Sequence, residues 1–162
     1  MIIVSNTSPI SNLAKIDHLF LLQEIYSEVI IPQAVYDELT DIRAGEKVNN
    51  AIKNANFIKN QPVINYQLVK DLQRNLDRGE SEAIVLAIEL NANKLLIDER
   101  LGRQEAIKLG LSLTGVLGIL LIAKKRGLIN NVKSLMDKLI SHTAFRMGDQ
   151  LYYTILIEAN EN

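Results

Sequence analysis

The sequence predicts an α/β fold in which helices cover both faces of a parallel sheet. Short apolar runs, several of them rich in β-branched residues, alternate with longer segments whose apolar residues have helical spacing. This alternation is typical of parallel strands joined by crossover helices. The 162 residues contain no internal repeat, low-complexity segment or linker. We therefore expect one domain that spans residues 1–162.

Five short apolar runs are interpreted as the strands of this sheet. The first two consist almost entirely of isoleucine and valine, which favour the extended conformation. The fourth run ends at an acidic segment that begins with Asp98. The predicted strands cover residues 2–4, 29–31, 55–58, 95–97 and 111–113.

Helix starts are indicated by capping residues. Ser8 is expected to cap the first helix, with Pro9 at its first position. Asp77 and Glu80 have the spacing of a capping box, which makes Glu80 a structural residue. Thr114 is expected to cap a later helix. The first predicted helix starts at Pro9. The other predicted helices cover residues 19–25, 32–39, 66–76, 78–90, 101–108, 115–126, 131–140 and 147–159.

Composition excludes several kinds of chemistry. The chain has no cysteine, which removes disulfides, thiolate zinc sites and cysteine nucleophiles, and it has only two histidines. Its formal net charge is −1, from 18 basic and 19 acidic residues, so any nucleic-acid contact must use a local patch. Hydrophobic residues make up 48% of the chain, enough for a substantial core.

Several common α/β site motifs are absent. The chain lacks the P-loop pattern, the glycine-rich dinucleotide fingerprint and the nucleophile elbow of α/β-hydrolases. No aspartate follows the first predicted strand, which argues against a phospho-aspartate enzyme. No apolar segment is long enough to suggest an export signal or a membrane span, so we expect a cytoplasmic protein without membrane contact.

Oxygen-bearing side chains instead follow predicted strands. Asn6 comes after the first strand and Asp98 after the fourth, and carboxyl ends of parallel strands meet at one sheet edge. Glu38 and Glu82 lie on helices that could reach the same edge. Carboxylate and amide oxygens are ligands for hard cations, so these residues are candidates for a Mg²⁺ or Mn²⁺ site.

Five segments of the chain are together similar to the PIN-domain superfamily of metal-dependent ribonucleases. They occur in the order and spacing of that superfamily, and the closest likeness is to a prokaryotic PIN-like subfamily related to the toxins of toxin–antitoxin pairs. The segments, at residues 4–9, 31–39, 79–84, 95–100 and 114–118, read VSNTSP, IPxAVYxEL, GESEAI, LLIDER and TGVLG.

The resemblance implies a three-layer domain with a twisted parallel sheet, and hydrolysis of RNA phosphodiesters with one or two Mg²⁺ or Mn²⁺ ions. It carries the four acidic positions of the family onto Asn6, Glu38, Glu82 and Asp98, as catalytic residues and metal ligands. It also implies homodimers and an antitoxin partner. The departure is Asn6, since the family usually has aspartate there and an amide brings no negative charge to the metal.

Other interpretations of these residues remain open. Arg100 and Arg103 could contact substrate phosphates, and Thr7 stands beside Asn6 as a further substrate contact. Asn6 could instead close a turn, and Asp98 could cap the helix that follows it. A rival hypothesis is a PIN-like scaffold that has lost hydrolysis through Asn6 and binds RNA or a protein. The last predicted helix has an apolar stripe that needs a partner surface, either its own domain or another subunit, and we expect a homodimer. The stripe consists of Met147, Leu151 and Ile155, with Tyr152 and Leu156 alongside.

Overall fold

The computed structural model describes residues 1–162 and contains one five-stranded sheet in which every strand pair is parallel. The strand order is β3-β2-β1-β4-β5, so β1 is central. This confirms the predicted α/β class. The strands are β1 (Ile3–Ser5), β2 (Val29–Ile31), β3 (Ile58–Asn60), β4 (Lys94–Leu96) and β5 (Leu113–Thr114).

Ten α-helices connect and flank the strands, and none of them combines the length and apolar character needed to cross a membrane. A 3₁₀ turn at Ile42–Ala44 separates the third helix from the fourth. The helices are α1 (Thr7–Lys15), α2 (Phe20–Tyr26), α3 (Gln33–Thr40), α4 (Glu46–Asn54), α5 (Tyr66–Leu72), α6 (Arg78–Glu89), α7 (Arg100–Lys108), α8 (Val116–Lys125), α9 (Lys133–His142) and α10 (Asp149–Glu158).

Alternate strand residues face two separate hydrophobic cores, because successive side chains of a strand point to opposite faces of the sheet. Ile3 and Leu96 join a core formed with helices α1 to α4 and α8 to α10. Val4 and Leu95 join the other core, against α5, α6 and α7. Both faces of the sheet are therefore covered, which confirms the expected three layers.

Helix α4 is the element that the sequence did not predict. It is polar apart from Val48 and Ile52, which have helical spacing and are buried. Asparagine is unfavourable in helix interiors, so the helix propensity of this segment did not predict α4. The side chain of Asn49 donates to the carbonyls of Leu39 and Asp41, and these tertiary bonds hold α4 against α3.

Two predicted caps are wrong, for a common reason. Helix α1 begins at Thr7, two residues before the expected start, and the hydroxyl of Ser8 donates to Glu99 rather than capping α1. Thr114 ends β5, and the N–H of Val116 at the start of α8 donates to Asp98, which follows another strand. In both places a long-range contact replaces the local cap. The capping box of Asp77 and Glu80 is confirmed.

Element boundaries differ elsewhere by a few residues. Strand β3 starts at Ile58, so the predicted strand at 55–58 is placed three residues too early. The predicted helix at 66–76 ends at Leu72, after which residues 73–76 form a turn that leads into the Asp77 cap.

Candidate functional site

The carboxyl ends of β1 and β4 form the point where the chain reverses its order across the sheet. After β1 the chain forms β2 and β3 on one side of β1, and it then crosses to the other side of β1 to form β4 and β5. Ser5 pairs with Leu96, and the N–H of Asn6 donates to the carbonyl of Leu96 at 2.9 Å. Asn6 and Asp98 therefore follow neighbouring strands at one edge. Ligands of open α/β sheets bind at such switch points.

Asn6 is buried but its side-chain amide has no protein partner. The residue is 3% exposed and occupies the N-cap position of α1, yet its side chain makes no cap hydrogen bond. Every fully buried side-chain nitrogen and oxygen of the protein has a hydrogen-bond partner, so the free amide of Asn6 must reach solvent. Asn6 therefore remains a candidate ligand at this switch point.

Asp98 is held by the start of helix α8. Both of its carboxylate oxygens accept from the N–H of Val116, at 3.0 and 3.3 Å. Gly115 provides the room, because a methyl group there would overlap the carboxylate. Burial raises the pKa of Asp98 to about 6, although the Val116 N–H and the charge of Arg103 oppose the shift. The carboxylate is thus fixed in position at the cost of being partly desolvated.

The two arginines predicted as phosphate contacts have different surroundings. Arg103 is half-buried beside Asp98, and its Nη1 donates to the carbonyl of Ile97 at 2.6 Å. That bond holds the guanidinium next to the site, and because the carbonyl is neutral it does not neutralise the positive charge of Arg103. Arg100 is exposed at the start of α7 and borders none of the three cavities described below.

Glu38 approaches the same edge from α3 and is tied to the residue after Asn6. The hydroxyl of Thr7 donates to Oε2 of Glu38 at 2.8 Å. The carboxylate lies against Gly79 so closely that a methyl group there would overlap it. Burial raises the pKa of Glu38, and the hydrogen bond from Thr7 opposes the shift. Thr7, which was predicted as a substrate contact, therefore forms a hydrogen bond with Glu38 in this structure.

Glu82 is the most enclosed of the four candidate ligands. Its side chain is 3% exposed, Oε1 accepts from the N–H of Ala34 at 3.1 Å, and Oε2 accepts from Nε of Arg78 at 2.9 Å. Glu82 and Arg78 thus form an ion pair within α6. Because both oxygens are engaged, Glu82 joins α3 to α6 and is neutralised by a protein cation.

Arg78 was not singled out from the sequence as a site residue. Its spacing of four from Glu82 was the available signal, since residues at that spacing meet on a helix surface. The structure also brings two further acids near the site. Glu80 has a pKa raised to about 7, chiefly by burial and then by the nearby charge of Asp77. Glu99 accepts from Ser8 at 3.2 Å.

Three cavities open around these residues, with volumes of about 380, 600 and 520 Å³. The first and second both border Thr7, and the second includes Glu38. Asp98 borders the first and the third. No one of the three is lined by all four candidate ligands. Phe145 and Arg146 were not predicted as site residues; they lie in the loop before α10 and line the first and third cavities.

A divalent cation fits the donor types at this edge. Asn6 has a free amide, and the carboxylates of Glu38 and Asp98 accept only neutral hydrogen bonds, so all three can still offer oxygen to Mg²⁺ or Mn²⁺. Glu82 would have to leave Arg78 in order to join them. In the present arrangement no three acidic or histidine side chains are close enough to enclose a metal ion.

Comparison with known protein families gives a match over nearly the whole chain. Residues 2–161 match a family model described as a PIN domain. No curated protein matches the chain.

Proposed function

The chain belongs to the PIN-domain family, and on that premise we propose that it is a metal-dependent endoribonuclease that hydrolyses RNA phosphodiester bonds. The observation that supports this most directly is the switch point, where the free amide of Asn6 and the partly desolvated carboxylate of Asp98 follow neighbouring strands. Oxygen ligands at the carboxyl edge of a parallel sheet are suited to a cation and a phosphate.

In this proposal Asn6, Glu38 and Asp98 hold Mg²⁺ or Mn²⁺, with Glu82 as a fourth ligand when Arg78 releases it. When bound, the metal polarises the phosphate and activates a water. The protein groups that position the ligands are neutral donors: Thr7 orients Glu38, and the N–H of Val116 orients Asp98.

The remaining candidates contact the substrate. The charge of Arg103, anchored beside Asp98, would attract a substrate phosphate, and Arg100 would contact the strand further out. Thr7 would meet the substrate through the two cavities it borders.

An RNA cleavage assay tests the proposal. Wild-type protein is incubated with unstructured single-stranded RNA in Mn²⁺ and, in parallel, in EDTA. We expect cleavage that requires Mn²⁺ and is lost in Asp98→Asn. Asp71→Asn is the matched control, because it removes the same charge from an exposed position on α5. Cleavage that survives EDTA or Asp98→Asn would refute a metal site at this edge.

A second candidate function is an RNA- or protein-binding scaffold without hydrolysis. Three observations favour it: the neutral residue at position 6, the ion pair between Glu82 and Arg78, and the lack of three clustered acids. The assay above separates the two hypotheses, because a scaffold would cleave no RNA in Mn²⁺. Such a scaffold would still bind RNA in EDTA.

We further propose that the chain is a cytoplasmic homodimer and the toxin of a toxin–antitoxin pair, neutralised by a protein antitoxin. On α10, Tyr153 and Ile157 are 62% and 58% exposed and four residues apart, so they form an apolar face for a second copy. A small neighbouring gene for a DNA-binding protein, whose co-expression restores growth of cells producing this chain, would support the toxin role. Growth unaffected by the chain alone would contradict it.

A further inference from the structure

A half-apolar cavity beside Asp98 has no role in the chemistry described so far. We call it the α8–α10 pocket, because these two helices form most of its apolar wall; its volume is about 520 Å³. The size lies in the range of cavities that enclose small ligands, about 300–1,000 Å³. Its apolar wall comes from β5, α8 and α10 and consists of Leu113, Leu117, Leu121, Leu151 and Ile155.

The polar rim of this pocket carries two arginines that have no carboxylate partner. Arg103 and Arg146 both line it, and neither forms an ion pair within the protein. Arg103 is anchored to the backbone, whereas Arg146 is exposed and makes no hydrogen bond through its side chain. Arg146 has no acidic partner, and Arg103 lowers the pKa of Asp98 without forming an ion pair with it. Positive charge next to an apolar wall attracts a ligand that has an anionic end and an apolar end.

The aromatic ring of Phe145 adds a surface on which a planar group can stack. Phe145 is half-buried, packs against the main core and lines the pocket beside Arg146. Leu151 contributes an apolar side chain that remains 45% exposed because no residue of the domain covers it. Proteins that bind single-stranded nucleic acid combine stacking surfaces of this kind with cations that follow the backbone.

We propose that the α8–α10 pocket holds one nucleotide of single-stranded RNA, adjacent to the phosphodiester at Asp98. The base lies against Phe145 and the leucines, and the phosphate of that nucleotide contacts Arg146. The proposal rests on RNA being the substrate in the proposed function. It adds the protein surface that positions the strand, and it holds whether or not the chain cleaves RNA.

Equilibrium binding of dye-labelled, short single-stranded RNA in EDTA tests the pocket without any cleavage. Leu151→Glu places a negative charge in the pocket at an exposed position, and we expect it to weaken binding about fivefold or more, which corresponds to losing one base contact. Ile140→Glu is the matched control, since it makes the same charge change at an aliphatic residue of α9 that is 41% exposed and lies outside the pocket.

Arg146→Ala tests the phosphate contact separately. Its side chain makes no bond within the protein, so the fold should be unaffected. We expect the slope of log affinity against log salt concentration to fall by about 0.7, the value for one phosphate contact on a single strand. Arg74→Ala, an exposed arginine on the other side of the sheet, should leave the slope unchanged.

Two outcomes would overturn the proposal. The first is RNA binding that is absent at about 100 µM protein, or that each variant and its control weaken equally. The second is a Leu151→Glu protein whose mass by light scattering is half that of wild type, which would assign the pocket to contact between copies. Loss of cleavage in Mn²⁺ with intact, variant-sensitive binding in EDTA would reject the nuclease and leave the pocket standing.

Discussion

Replacing Asp98 by asparagine should make the metal-free protein more stable at neutral pH. The carboxylate of Asp98 is partly desolvated, and burial raises its pKa from 3.8 to about 6. Asparagine has nearly the same shape and keeps an oxygen for the N–H of Val116, so the cap of α8 is retained. What the substitution removes is the cost of burying a charge.

The magnitude follows from the pKa difference. One pKa unit corresponds to about 1.4 kcal/mol, so a shift of about two units destabilises the folded state by about 3 kcal/mol when the group is ionised. Because the folded-state pKa of Asp98 lies above its unfolded value, this cost is absent below pH 3.8. It grows as the pH rises through the interval between 3.8 and about 6, and it is complete above that interval.

Urea unfolding in EDTA at several pH values measures this effect. We expect Asp98→Asn to raise the free energy of unfolding by about 1–3 kcal/mol at pH 7, with the gain shrinking as the pH approaches 4. Asp71→Asn at an exposed position should show no such dependence. A variant that is less stable than wild type at pH 7 would show that the carboxylate contributes more through its hydrogen bonds than burial costs.

Four further predictions concern the site, a cap and assembly. Asn6→Asp adds a charged ligand, so it should bind Mn²⁺ about tenfold more tightly by calorimetry and cleave RNA faster; unchanged affinity would remove position 6 from the site. Gly79→Ala should displace the carboxylate of Glu38 and lower Mn²⁺-dependent cleavage by up to about 100-fold with little change in melting temperature. Asp77→Ala should lower the free energy of unfolding by about 1 kcal/mol, because it removes the cap that bonds the N–H of Glu80. Light scattering should return twice the mass of one chain, and a single-chain mass at high concentration would reject the homodimer.

The elements that sequence reasoning located correctly are those with strong local signals. The β-branched run before Asn6 and the capping box at Asp77 determine local structure through side-chain preference and short-range hydrogen bonds. The predicted cap at Ser8 failed because its hydroxyl bonds Glu99, a partner far away in the chain. Helix α4 was missed because tertiary bonds, rather than propensity, hold it.

The predictions for the candidate site also divide into those with a local sequence signal and those that depend on contacts between distant residues. Strand ends indicated Asn6 and Asp98, which do follow neighbouring strands, but the adjacency of β1 and β4 results from packing of the whole sheet. The ion pair between Arg78 and Glu82 is consistent with their helical spacing of four residues. The loop that places Arg146 beside Asp98 has no periodic sequence pattern from which its position could be predicted. The apolar stripe of the last helix was expected to pack either on its own domain or on another subunit. In the structure Ile155 packs into the main core of its own chain.

The order in which strands enter the sheet determines when the candidate site can exist during synthesis. Strand β1 leaves the ribosome early and can pair with β2, but its other edge remains open until β4 has been made. Such a contact between distant parts of the chain closes late, because the intervening segment must be ordered first. Asn6 therefore stays without Asp98 on every shorter nascent chain. An unfinished polypeptide lacks the paired strand ends, so any activity at this edge appears only once the fourth strand has docked.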